Sequence, residues 1–143
     1  MKISAIHLCY VLLSAYCLAG CLIEHFALFY AWSFATNATD LARMQRHSGT
    51  RIAWLYVLPK AILTAAVLYL AVNATIYPVA GVWWSVAFHT LSWTSAGLIQ
   101  VPAQLKLRAS AGRDREALQR LLDTTWVRSA AMVGHCVVSS REG

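Results

Sequence analysis

Residues 3–36 read ISAIHLCYVLLSAYCLAGCLIEHFALFYAWSFAT. Nearly every position is apolar, yet Glu24 and His25 sit inside the run. At about 1.5 Å per residue, a helix over this stretch is roughly 50 Å long, against roughly 30 Å of bilayer hydrocarbon. It therefore reads as a tilted membrane-crossing helix that carries an acid and an imidazole within or beside the apolar layer.

The remainder of the chain has the same character. Of 143 residues, 59% are hydrophobic and only 13% are charged, where a soluble domain carries about 25% charged residues. Mean hydropathy is +0.53. Three further apolar runs, 53–73, 82–103 and 125–140, follow the first at 5–35. Together they predict one all-α domain over residues 1–143, a transmembrane four-helix bundle. Its expected surroundings are the lipid bilayer and the helices of other membrane subunits or of a second copy.

The charges orient this bundle. Arg43, Arg46 and Arg51 lie between the first and second runs, and Lys106, Arg108, Arg113, Arg115 and Arg120 between the third and fourth. The loop at 73–81, NATIYPVAG, carries no charge. An even number of spans puts the two basic loops on one side. The positive-inside rule makes that side cytoplasmic and both termini external. The net charge of +6 is thus an orientation signal, and nucleic acid is not an expected partner. Trp32, Trp54, Trp83, Trp84 and Trp126 fall near the expected interfaces, where tryptophans collect. Pro59 and Pro102 fall inside spans as expected kinks. Leu118, Leu121, Leu122 and Trp126 form an amphipathic pattern, either an interfacial turn or a lead-in to the fourth span.

None of the four cysteines forms a CxxC pair, so the sequence supports neither a thioredoxin-like motif nor a zinc ribbon. A Cys9–Cys136 disulfide is one option for the external side. Leu18-Ala19-Gly20-Cys21 has the pattern of a lipoprotein cleavage site. The apolar run that continues past Cys21 and the charge bias of the loops both oppose that reading.

In lipid, helices associate through small and polar residues, because lipid tails match leucine. Spacings of three and four place His7, Tyr10, Ser14, Cys17, Cys21, Glu24, Leu28 and Ala31 on one stripe of the first span. Gly81, Ser85, His89, Ser92, Ala96 and Gln100 form another on the third, and Arg128, Met132, His135 and Ser139 one on the fourth. Lys60, Val67, Thr64 and Ala71 line the second less clearly. Depth sorts the polar residues into a cytoplasmic layer (Glu24, His25, Lys60, Gln100, Arg128) and an outer layer (His7, Cys9, His89, His135, Cys136). Buried ionised groups must pair, so Glu24 is expected to meet Lys60 or Arg128.

Some segments resemble a known group. Met44-Gln45-Arg46-His47 and Arg51-Ile52-Ala53-Trp54 precede a proline-containing span, Gln100-Val101-Pro102 closes the third, and Thr125-Trp126-Val127-Arg128 opens the fourth. This order resembles uncharacterised bacterial four-helix integral membrane proteins with Gln-x-Pro and Trp-x-Arg motifs. It is distantly similar to the anthrone-oxygenase-like membrane proteins of unknown function. The resemblance implies the four-helix fold and a bacterial inner-membrane setting, and it implies no reaction. Thr125 and Ser129 stand where the group has Asn and Thr, and Lys60 is unexpected after Pro59.

Three functions follow as expectations. No phosphate loop, nucleophile elbow, HExxH or carboxylate pair occurs. The first expectation is therefore a non-catalytic subunit that packs within a membrane complex. The second is a redox protein holding haem b or copper at His89, His135 and His7, since haem and copper take imidazole ligands in helix bundles. The third is a quinone- or small-ligand-binding enzyme that uses the layer around Glu24 and Arg128.

Overall fold

The computed structural model describes residues 5–35, 37–73, 79–110 and 113–141, with main chain alone at 50, 53 and 79. Residues 3, 4 and 36 of the opening stretch, and 74–78 of the uncharged loop, lie outside the described residues. The described residues are 94% helical and contain no strand. The helices are α1 (Ala5–Ser33), α2 (Ala38–Ile52), α3 (Trp54–Val72), α4 (79–109) and α5 (Arg115–Arg141). Side chains cap two of them. The Asn37 carboxamide oxygen accepts the Asp40 N–H at 2.8 Å, and an Asp114 carboxylate oxygen accepts the Ala117 N–H at 2.9 Å.

Two helices are long and apolar enough to cross a membrane by length and composition, α1 with mean hydropathy 2.0 and α3 with 1.9. Four were expected. α4 and α5 fall short because polar residues dilute their averages: Ser85, His89, Ser92, Ser95 and Gln100 on α4, and Thr125, Ser129, His135 and Ser139 on α5. The fourth helix is also longer than its apolar run. It begins at Arg115 and spans 27 residues, so the amphipathic segment is its lead-in, with Leu118 and Leu121 buried.

Helices α1, α3, α4 and α5 pack in a ring in that order, each beside its neighbours, with α5 against both α1 and α4. α2 lies at one end, where Leu41 joins Phe29, Trp32, Ala103, Leu107, Leu118 and Leu121 in one apolar cluster. A second cluster of Tyr10, Cys17, Cys21, Leu63, Val67 and Met132 fills the other half. Between and around them, polar side chains point inward and large apolar ones outward. His7, Ser14, Glu24, Lys60, Ser85, His89, Ser92, Gln100, Thr125, His135 and Ser139 are all buried, while Ile6, Leu12, Phe26, Leu58, Ile62, Trp84, Leu91, Leu98 and Val133 are exposed. This inverts the usual arrangement, in which charged residues are almost never fully buried.

Three stretches are π-helical: Glu24–Phe29, Ala53–Val57 and Ala96–Gln100. Two of them immediately precede the prolines. Pro has no N–H and collides with the carbonyl four residues back, and a wider turn relieves both problems. At Pro59 the carbonyl four back belongs to Leu55, and the Tyr16 hydroxyl of α1 donates to it at 3.0 Å. A neighbouring helix thus satisfies the group that the proline leaves open.

The first π stretch corrects the expected stripe of α1. Down to Glu24 the buried residues follow the predicted spacing. Beyond it the buried positions are Phe29 and Trp32, with Leu28 and Ala31 only half-buried. The extra residue in the wide turn rotates the face by one position. Trp32, expected at an interface, is for this reason in the core at 4% exposure, whereas Trp54, Trp83, Trp84 and Trp126 are exposed. The cysteines are all free, and Cys9 is exposed, so the Cys9–Cys136 disulfide is not formed.

Glycine sets the approach of α1 and α3. A Cβ on Gly20 would lie 2.3 Å from Tyr56 Cδ1. Gly20→Ala is therefore expected to displace Tyr56 and destabilise the protein by about 1–3 kcal/mol, the usual scale of overpacking. Reversible unfolding in detergent micelles checks this, and the further change Tyr56→Ala should restore part of the loss.

Candidate functional site

The centre of the molecule holds an ion pair. Glu24 on α1 accepts a charge-assisted hydrogen bond from the Arg128 guanidinium of α5, and both side chains are largely enclosed. Of the two cations expected to meet Glu24, Arg128 takes it directly. Lys60, at 8% exposure, donates instead to the Ser92 hydroxyl at 2.7 Å and sits 4.5 Å over the Trp93 ring. Among the described residues no carboxylate lies within ion-pair distance of Lys60.

All three charges border one cavity of about 70 Å³, lined also by Cys17, Cys21, Tyr56, Val57, Trp93 and Ala96. That is room for a few waters, each taking about 30 Å³ in the liquid. Every π stretch contributes to its wall: Glu24 from the first, Tyr56 and Val57 from the second, Ala96 from the third. Glu24 and Tyr56 also border a second cavity of about 200 Å³ between α1, α2 and α3, which Leu28, His47, Ser48 and Arg51 help to line. The carboxylate therefore stands between an inner chamber and one that reaches the basic loop.

A line of polar contacts runs from Lys60 into the other half. The Thr64 hydroxyl donates to the Lys60 carbonyl at 2.7 Å and accepts the Trp93 indole N–H at 2.9 Å. The same oxygen is 3.1 Å from His89 Nδ1. The His89 ring lies edge-on to His135, with centroids 4.5 Å apart and planes at 90°. His135 Nε2 is 3.1 Å from the Ser14 oxygen and 3.4 Å from that of Ser139. The Tyr10 ring packs edge-on at 5.8 Å.

The predicted layers are thus partly brought together. Glu24, Arg128 and Lys60 share a cavity. His25 does not join them: it is half-buried and its ring lies against Phe26, with centroids 4.5 Å apart. Successive residues leave a helix roughly 100° apart, so adjacent Glu24 and His25 face different neighbours. Gln100 is buried, yet it borders neither of these cavities, being a turn beyond Ala96. In the outer layer His89 and His135 meet. His7 is buried at the start of α1, but Ser14 is the α1 residue level with His135. Seven residues at about 1.5 Å each put the His7 backbone roughly 10 Å along α1 from that of Ser14. Among the described residues no group of three or more His, Cys, Asp or Glu is placed to hold a metal ion.

Haem fits poorly here. With metal–nitrogen bonds of about 2 Å, two axial imidazoles have centres about 6 Å apart with a macrocycle between them. His89 and His135 stand closer than that and touch edge to face.

Sequence reading missed Tyr56 and Trp93, and gave Thr64 and Ser14 an inward face without a partner. Each is an ordinary membrane-helix residue by type, and only the contact it makes distinguishes it. Spacing placed Thr64 and Ser14 on inward stripes; nothing in the chain marked their partners.

In comparisons with known families, curated proteins and solved structures, the chain matches none. The likeness drawn from the Gln-x-Pro and Trp-x-Arg motifs gains no support there. Of those motif residues, Arg128 is the one that carries a defined contact, its pair with Glu24.

Removing one partner of a buried pair leaves an uncompensated charge and costs about 3–5 kcal/mol. Glu24→Gln is expected to destabilise the protein by that amount. Adding Arg128→Met should recover most of it, and a double-mutant cycle on micelle unfolding measures the coupling.

Proposed function

We propose that this chain is a multi-pass protein of a bacterial inner membrane that binds a small anionic or quinone-like ligand between Glu24, Arg128 and Lys60. α1, α3, α4 and α5 cross the bilayer as a four-helix bundle, with both termini outside the cytoplasm and the basic loops inside. The low mean hydropathy of α4 and α5 does not oppose this reading. Lipid meets only the outer face of each helix, and there α4 shows Trp83, Trp84, Leu91, Leu98, Val101 and Leu105, and α5 shows Trp126, Val133 and Val137. Their polar residues face other helices, as intramembrane polar groups do.

One observation carries the ligand-binding reading. The cavity is lined by two cations and one carboxylate, and Arg128 already occupies that carboxylate. A buried ammonium without a counter-charge is costly. A carboxylate, phenolate or quinone oxygen beside Lys60 offsets that cost, while a ring too large for this chamber of about 70 Å³ extends past Glu24 and Tyr56 into the cavity of about 200 Å³ that they also border. The cavity of about 200 Å³ behind Glu24 gives a route from the cytoplasmic side.

Two measurements check this. A reporter fused after Gly143 should prove external; a cytoplasmic reporter overturns the orientation. Benzoate and a short-chain benzoquinone, added to the purified protein in mild detergent, should raise its melting temperature by several degrees in the wild type and not in Lys60→Met. If neither probe stabilises the protein and it co-purifies with a fixed partner, the packing-subunit reading replaces this one.

A further inference from the structure

Hydrogen bonding around the two histidines determines which of their nitrogens are bare. Thr64 has one hydroxyl proton, and its nearest acceptor is the Lys60 carbonyl at 2.7 Å. Its oxygen can then only accept from His89, so Nδ1 of His89 carries the hydrogen and Nε2 holds a lone pair. The Ser14 hydroxyl donates likewise to the Tyr10 carbonyl at 2.8 Å, and that of Ser139 to the His135 carbonyl at 2.8 Å. Both oxygens accept from His135, whose Nε2 therefore carries the hydrogen and whose Nδ1 holds a lone pair. His89 Nε2 and His135 Nδ1 are buried and have no hydrogen-bond partner among the described residues. The residues themselves are 3% and 0% exposed.

We propose that His89 Nε2 and His135 Nδ1 together hold one soft monovalent metal ion of the copper(I) class, independently of the ligand cavity. Metal-binding histidines characteristically donate their other ring N–H to a neighbouring oxygen, which sets tautomer and ring orientation. Thr64 does this for His89, and Ser14 with Ser139 does it for His135. With metal–nitrogen bonds of about 2 Å, rings 4.5 Å apart would hold a shared ion at a nitrogen–metal–nitrogen angle of roughly 90°, which leaves the opposite side for further donors. Met132 lies one turn before His135 on the same face and is fully buried, in the cluster that includes Tyr10. Its thioether completes the site as a soft third donor, and imidazole with thioether selects copper(I) among common ions. Lys60, one turn from Thr64, supplies a positive charge nearby. With neutral ligands and an ammonium so close, a divalent ion is strongly disfavoured over a monovalent one.

The test uses the full-length protein in detergent, kept anaerobic and reduced, with Cu(I) delivered as its bicinchoninate complex. One Cu(I) per chain should transfer to the protein, and X-ray absorption should show two nitrogen scatterers and one sulfur. His89→Ala should weaken binding at least 100-fold. Thr64→Val, close in shape, should weaken it 10–100-fold, the usual effect of losing an orienting partner. Met132→Leu, a volume-conserving change, should remove the sulfur scatterer and keep the nitrogens. Because the chain has four free cysteines, Cys9→Ser with Cys136→Ser serves as a control and should keep the nitrogen-bound ion. Failure to take Cu(I) from the competitor, an all-sulfur shell, or unchanged binding in His89→Ala overturns the proposal.

Discussion

Glu24 and Arg128 depend on one another because neither tolerates isolation in an apolar interior. A charge moved out of water loses several kcal/mol of solvation, and only a well-placed opposite charge recovers it. The pair joins the neighbouring helices α1 and α5, between the two apolar clusters. It limits how α1 and α5 can slide or rotate, since a shift by one residue would carry either side chain away from its partner. Small residues then let the neighbours close in, Gly20 against Tyr56 and Gly134 against Phe88.

The π stretches serve the same end by different means. At Pro59 and Pro102 the wide turn follows from the missing N–H and the ring's bulk. At Glu24 no proline is present, yet the turn widens there too. All three contribute to the wall of the charged cavity. Where helical hydrogen bonding is locally interrupted, side chains and carbonyls gain freedom to face a ligand, and π-bulges recur at functional sites for that reason.

On the other side of Lys60, neutral groups replace charges. Hydrogen bonds join Thr64 of α3 to His89 of α4, and His135 of α5 to Ser14 of α1 and to Ser139, and between them the two imidazoles meet edge to face. Each hydroxyl donates to a carbonyl of its own helix and accepts from a histidine or tryptophan. Within this group of five side chains each hydroxyl is satisfied, and the atoms without a partner among the described residues are His89 Nε2 and His135 Nδ1.

What the residues determine by themselves is pattern. Apolar runs, stripes at spacings of three and four, basic loops and interior prolines announce an all-helical chain with polar faces turned inward, and they single out Glu24, Lys60, Arg128, His89 and His135 as the side chains that must meet something. They do so because helical periodicity is local and converts sequence spacing directly into a face. Only the tertiary structure decided which of these meet. Glu24 chose Arg128 over Lys60, and His25 and Gln100 fell away from the pair. His7 lies about two turns along α1 from Ser14, the residue that meets His135, and Trp32 moved from the surface to the core. Such outcomes turn on a rotation of a few tens of degrees or a shift of one residue, introduced here by the π turns. They turn also on hydroxyls such as those of Thr64 and Ser14, whose role lies in the partner they contact across a helix interface, a quantity that no local spacing encodes.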